Sequence, residues 1–459
     1  MQRTTHAIAL AVVASLILSG QAFAVDSAEK RIQRLEQQLG QALKQIDELK
    51  KEVKQQKAVG TATAKQVEQN DLAQKETEKK VATPAALLPD WLKKVSLFGD
   101  VRIRHEGFYH QPGPTKGATI TARNRERFRA RVGVNVNYSD ELSGTVRAAT
   151  GNPNDPISTN EDMGKVFNRK NWNLDQAFIT FKPGQSFNMR PGALALIAGK
   201  QPLPFFRVGE MVWDDDLTPE GFSETYALLD KPWDVFDQVK FHAYQWTFSE
   251  VSNNQDGWIV GGQINPTMTL GPAQIELGLA HSWYLNPDLI ADALNPKSKN
   301  FNSALKNSNL TVPDGSTIAY KSGFSLSNET LAVTFPDVVC NQPLKIFQDY
   351  VYNWEAATSD SYGIQGGLKL GQTKKRGDWA ATALYEYLGQ ESALSSFAYS
   401  DFGPVGGTNV EGPIISLDYQ LLDPLTVSAK SSFTNSINRT SGQRNPTTTR
   451  LMLDAMIKF

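Results

Sequence analysis

The chain has 459 residues, 47 of them basic and 48 acidic, for a net charge of −1 and a mean hydropathy of −0.38. So balanced a charge gives no electrostatic hold on nucleic acid. The single cysteine, Cys340, excludes an internal disulfide, and no CxxCH run is present to attach haem.

Arg3, the apolar stretch from Ala7 to Leu18 and the triplet Ala22-Phe23-Ala24 predict a secretory signal over residues 1–24, cleaved before Val25. The stretch falls short of the roughly 20 residues a membrane helix needs, and no later segment reaches that length. Residues 25–58 predict a coiled coil. Ile32, Leu39, Ile46 and Val53 take a positions and Leu35, Ala42 and Leu49 take d positions, with Gly40 weakening the middle. Residues 59–94 are polar, low in complexity and punctuated by Pro84 and Pro89, the composition of a linker.

From Val95 the hydrophobic period changes to 2. In residues 124–138, Arg125, Arg127, Arg129, Arg131, Asn135 and Asn137 share one face, and Phe128, Ala130, Val132, Val134, Val136 and Tyr138 share the other. This run is longer than the roughly 10 residues that cross a membrane as a strand. Four inward arginines would be intolerable in a dry sandwich, so the expectation is a wet interior and a lipid-facing exterior.

Alternation recurs at 95–109, 142–151, 171–182, 193–200, 221–230, 237–248, 256–265, 272–284, 346–357, 361–370, 378–389, 409–420, 424–436 and 447–459. Short turns such as Ser139-Asp140-Glu141 alternate with long segments such as 152–170 and 390–408. With both ends of the barrel in the periplasm the strand number must be even. A weak strand must therefore hide in 285–345, and Ser325 to Phe335, with Leu331 and Val333, is the best candidate. The expected fold is all-β: a transmembrane antiparallel barrel of about 16 strands over 95–459, with 14 or 18 as neighbouring solutions, preceded by a helical coiled coil.

The last strand alternates Leu451, Leu453, Ala455, Ile457 and Phe459 with Arg450, Met452, Asp454, Met456 and Lys458. A terminal aromatic of this kind resembles the signal that outer-membrane proteins present to the barrel-assembly machinery. Three further stretches are Leu97-Phe-Gly-Asp-Val-Arg-Ile-Arg104, Trp213-Asp-Asp-Asp-Leu-Thr-Pro-Glu-Gly221, and Ser400-Asp-Phe-Gly403 with Gly406-Gly-Thr-Asn-Val-Glu-Gly412. Together they resemble the "putative porin" family of proteobacterial outer-membrane proteins, over roughly residues 95–459. The resemblance implies an outer-membrane porin passing small hydrophilic solutes or ions, embedded in lipid and lipopolysaccharide. Phosphate-selective porins share the layout of periplasmic coil and barrel, but their lysine cluster is missing here.

The predicted pore wall is basic: Arg102, Arg104, Arg125, Arg127, Arg129, Arg131 and Arg147. Guanidiniums stay charged and overlapping fields attract anions. Asp214, Asp215, Asp216 and Glu220 are candidate acids of a constriction loop that would set acid against base across the lumen. A solvated outer loop and a divalent-ion site with oxygen ligands are the alternatives for this run. Aromatics at Trp213, Trp233, Trp246, Trp258, Trp283, Tyr284, Trp354 and Trp379 are expected in interface girdles.

His105, His110, His242 and His281 show no catalytic or metal-ligand spacing, so no enzyme, metal or cofactor is expected. The rival functions are a sheath around a partner such as a multihaem cytochrome, and a solute-specific anion channel. A homo-oligomer is expected, a trimer foremost, although β-branched a positions with Leu at d lean towards dimers in parallel coils.

Overall fold

Side chains that alternate apolar and polar can satisfy both lipid and water only if every backbone N–H and C=O finds a partner in a closed ring. The computed structural model, which describes residues 89, 91–112, 119–228, 235–252, 254–339, 341–403, 406–439 and 447–459, is such a ring. Its strands are β1 (Val95–Pro112), β2 (Thr119–Asn137), β3 (Leu142–Thr150), β4 (Trp172–Phe181), β5 (Leu194–Lys200), β6 (Glu220–Leu228), β7 (Gln238–Ser249) and β8 (Gly257–Leu270). They continue with β9 (Ala273–Leu285), β10 (Ser325–Val339), β11 (Gln342–Asn353), β12 (Tyr362–Gly371), β13 (Trp379–Leu388), β14 (Val410–Leu422), β15 (Leu425–Ser436) and β16 (Thr448–Lys458). Each pairs antiparallel with its sequence neighbours. The ring closes where β1 meets β16, from Asp100↔Lys458 to Tyr109↔Thr449.

All sixteen expected strands are present, including the one deduced from parity. β2 begins five residues earlier than expected, at Thr119, β8 ends five later, at Leu270, and β11 as a whole is shifted by four, beginning at Gln342 and not at 346. Asn341, at φ 59°, makes the turn before it tighter than the sequence suggested. The predicted signal, coiled coil and most of the linker lie outside the described residues. Among the described residues, no helix is long and apolar enough to cross a membrane.

The faces divide as alternation requires. Leu97, Val101, Ile103, Val132, Val136, Leu453 and Ile457 are exposed on the outside, while Asp100, Arg104, Arg127, Arg129 and Arg450 are buried within. At closure, Gly99 and Phe459 exchange backbone hydrogen bonds of 2.9 and 3.1 Å. The Phe459 ring lies over Gly99, where an added Cβ would meet Arg131 O at 2.3 Å and Phe459 Cζ at 2.7 Å. Only glycine lets the ring and the neighbouring strand approach so closely.

The interior departs from an entirely wet lumen. Tyr244 and Trp246 of β7, Tyr284 of β9 and Leu388 of β13 point inward and are buried with Phe205, Trp213, Leu394 and Phe397 from long connections. Trp213 stacks on Tyr284 at 6.1 Å and Tyr244 on Trp246 at 4.2 Å. These aromatics therefore build a dry core within the barrel, where the sequence placed Trp213, Trp246 and Tyr284 in girdles. Burial in a packed core releases more water from their faces than a seat at an interface would. Trp283, Trp354 and Trp379 are exposed on the outer face, as expected, and Trp233 lies outside the described residues. The connection 286–324 also carries a short helix (Asp288–Ala293) and a hairpin of Thr311–Asp314 with Thr317–Tyr320.

Candidate functional site: the arginine wall of the lumen

The register of β1 on β2 creates an electrostatic problem. Arg102 stands directly opposite Arg129, and Arg104 opposite Arg127. Like charges facing each other across a ladder destabilise a sheet, so carboxylates must come between them.

The strands supply four. Asp100 lies 2.9 Å from Arg129 and 2.7 Å from Arg131. Glu106, fully buried, pairs with Arg125 and Arg450 and lies 3.7 Å from Arg127. Asp454 of β16, the ladder partner of Arg104, takes a bidentate pair of bonds from it at 2.7 and 2.8 Å, and lies 4.0 Å from Arg102. Asp175 of β4 pairs with Arg147.

Long connections supply three more, each from a different one. Asp162, in a two-residue strand laid against β2, is 2.8 Å from Arg127 and 3.6 Å from Arg125. Asp216 is 3.3 Å from Arg131 and 3.7 Å from Arg129. Asp401 sits between Arg104 and Arg450, 2.7 Å from each. Burial opposes ionisation of Asp401, but Arg104 and Arg450 outweigh it and hold its carboxyl well below the usual carboxylate range. The seven predicted arginines and Arg450 are thus eight guanidiniums facing seven carboxylates, one net positive charge along the wall.

The candidate loop acids scatter. Asp216 reaches the arginines. Asp214 is buried and accepts the backbone N–H groups of Asp216 and Ser400, both at 2.8 Å. Asp215 faces outward from the loop to Arg207 at 2.7 Å. Glu220 opens β6 and pairs with Lys200 at 3.0 Å, apart from the others. Among the described residues, no three acids, histidines or cysteines converge as metal ligands.

Loop 201–219 is held in the lumen by more than charge. Gln263 of β8 donates its amide to Phe206 O at 3.0 Å and accepts Phe206 N–H at 2.9 Å, a two-bond imitation of a strand pair. Asp214 N–H donates to Phe397 O at 2.9 Å, which ties this loop to loop 389–409. Asn309 then binds Gln390 O and Ala393 O at 2.7 and 2.9 Å, adding loop 286–324. Burial first, and then Asp215, push Glu210 up to about 7; burial and then Glu210 raise Asp214 well above its ordinary value.

Three sequence stretches set apart above therefore meet in space: Arg104 touches Asp401, Ser400 donates to Asp214, and Asp216 reaches Arg131. Sequence reasoning singled out Asp401 only as part of a motif, and missed Asp162. Neither stands in an alternating strand, so periodicity carried no signal for them.

A closed sixteen-stranded antiparallel barrel with an apolar outer face and a charged, loop-lined lumen is an outer-membrane channel. A family described as "Putative porin" matches residues 109–311 and 333–459, and the chain belongs to it. Its activity is that of a porin, passive diffusion across the outer membrane. Two of the three resembling stretches lie within the matched residues, and Leu97–Arg104 precedes them. No curated protein matches the sequence. Among solved structures it is similar to OprB of Pseudomonas putida at high pH, 13% identical over 81% of this chain and 96% of that one, with a TM-score of 0.49. OmpF of Salmonella typhi in complex with daunomycin is 11% identical over 80% and 97%, with a TM-score of 0.45. A triple mutant of the Rhodopseudomonas blastica porin is 9% identical over 80% and 100%, with a TM-score of 0.42.

Proposed function

We propose that this porin passes small hydrophilic solutes and ions through a lumen narrowed by three loops latched to the arginine wall. In this reading the wall anchors loops first and selects ions second. The observation that carries it is the convergence of Asp162, Asp216 and Asp401, one from each loop, on arginines of β1, β2 and β16. Buried pairs of this kind cost about 3–5 kcal/mol to break from one side, enough to hold a loop against thermal motion. Single-channel recording on the doubly unlatched variant Asp216→Asn/Asp401→Asn tests it. Conductance should rise and become noisier, and an unchanged step size would sink the latch.

The sheath reading is not favoured, because the barrel's own loops and the Trp213 core occupy space a guest would need. A homo-oligomer in outer-membrane lipid and lipopolysaccharide, exported by the signal over residues 1–24 and trimerised or dimerised with help from a periplasmic coil, completes the proposal. Phe459, seated at barrel closure, is the proposed signal to the assembly machinery. No enzymatic activity, metal or cofactor enters this reading.

A further inference from the structure

Beside the latch, on the β15 side of Asp401, loop 201–219, Tyr399 and the inward faces of β12, β13, β14 and β15 line a cavity of about 310 Å3. Four charged side chains line it: Arg207 and Asp215 pair with each other at 2.7 Å, whereas Lys430 and Glu210 pair with no opposite charge among the described residues. Lys430 of β15 has no carboxylate within 4.0 Å among the described residues; its ammonium is held by the Tyr399 hydroxyl and lies 4.6 Å from the centre of that ring. Glu210 of the loop has no cation within 4.0 Å among the described residues, and accepts only the N–H of Asp215, at 3.1 Å. Gln365 also lines the cavity; it is 2% exposed, its amide N–H donates to Glu386 at 2.6 Å, and its Oε1 has no hydrogen-bond partner. An added Cβ on Gly209 would meet that oxygen at 2.2 Å, so the loop can lie beside it only as glycine.

A half-buried ammonium and a half-buried carboxylate, neither paired with an opposite charge, together with a buried acceptor that has no hydrogen-bond partner, favour a ligand that supplies the complementary groups. A lone anion would answer Lys430 and leave Glu210 bare, and a lone cation the reverse. We infer that this cavity is a binding site for a small zwitterion, an amino acid, whose carboxylate meets Lys430 and whose ammonium meets Glu210 and Gln365 Oε1. A volume at the low end of the roughly 300–1,000 Å3 typical of small-molecule sites suits a short side chain, and the apolar flank of Leu384 would cover it.

The inference deepens the channel reading and rests on it for its meaning, but its test does not need conduction. The full-length protein, folded in detergent, is dialysed against radiolabelled alanine, with acetate and methylamine as single-charge probes. Saturable alanine binding should appear, with acetate and methylamine each at least tenfold weaker. Lys430→Met and Glu210→Gln should each weaken alanine at least tenfold. Leu384→Phe, which fills the cavity from a strand, should do the same if either charge variant fails to show the heat-shifted gel mobility of a folded barrel. Absence of saturable alanine binding, or equal binding of either single-charge probe, overturns the zwitterion site. Planar-bilayer recording of the same preparation separates the two readings: conductance without binding leaves the porin and removes the site, and binding without conductance does the opposite.

Discussion

Glu210 and Asp401 stand on neighbouring loops yet respond to protons in opposite senses. Glu210 holds its proton more tightly in the folded lumen than the ordinary value of 4.5 allows, with a folded value of about 7. Its contribution to packing loop 201–219 is therefore fully present below 4.5 and is lost as pH rises through about 7. Asp401 has a depressed value, so its contribution is present above the ordinary 3.8 and is lost as pH falls towards the folded value. The expected outcome is a conductance that rises as pH is taken from about 5 to about 8, through loosening of loop 201–219 alone. Glu210→Gln should flatten that rise. A variant whose pH profile matched the wild type would remove Glu210 from the gate.

At the scale of the element, β2 tests the assignment of faces. Val134 and Asn135 are adjacent, but the first points to lipid and the second inward, where it accepts a hydrogen bond from Thr145 at 2.9 Å. An arginine facing the bilayer midplane costs roughly 2–4 kcal/mol. Val134→Arg should lose that much stability in urea titrations of protein folded into liposomes, and Asn135→Arg much less. Equal losses would reverse the faces. Strands of this kind were legible from sequence because each one repeats its own pattern locally. β10 was nearly silent because Ser325, Ser327 and Glu329 interrupt its outer face; parity, not periodicity, located it. The connections followed no such rule. A two-residue strand at Glu161–Asp162, worth little by itself, places one of the three latching carboxylates.

For the whole molecule, the question is what the near-cancelling wall does to ions. Neighbouring arginines on β2 are about 6.6–6.8 Å apart along the strand, within the Debye length of about 10 Å at 0.1 M salt. Their fields overlap, and so do those of the carboxylates between them. Replacing Arg127 and Arg129 by Gln should shift the reversal potential in a KCl gradient towards cation preference, more at low salt than at high. Removing a matched pair, Arg129→Gln with Asp216→Asn, should leave the potential where it was. If the matched removal shifts it as much as the double arginine variant, the lumen senses individual charges and not their sum.

The sequence by itself determined the class of this protein. A period of 2 over runs longer than a sandwich strand, together with an even strand count, defines a membrane barrel, because lipid and backbone hydrogen bonding admit no other closure. It also determined which wall is basic, since alternation assigns a face to every residue of a strand. Only the tertiary structure decided what that wall holds. Arg104 is 350 residues from Asp454 and 297 from Asp401, and no local period links groups so far apart. Their meeting depends on barrel closure and on loops whose course is set by aromatic burial around Trp213. Charge compensation then follows from proximity, which is why arginines that read as an open field became the anchorage of three loops.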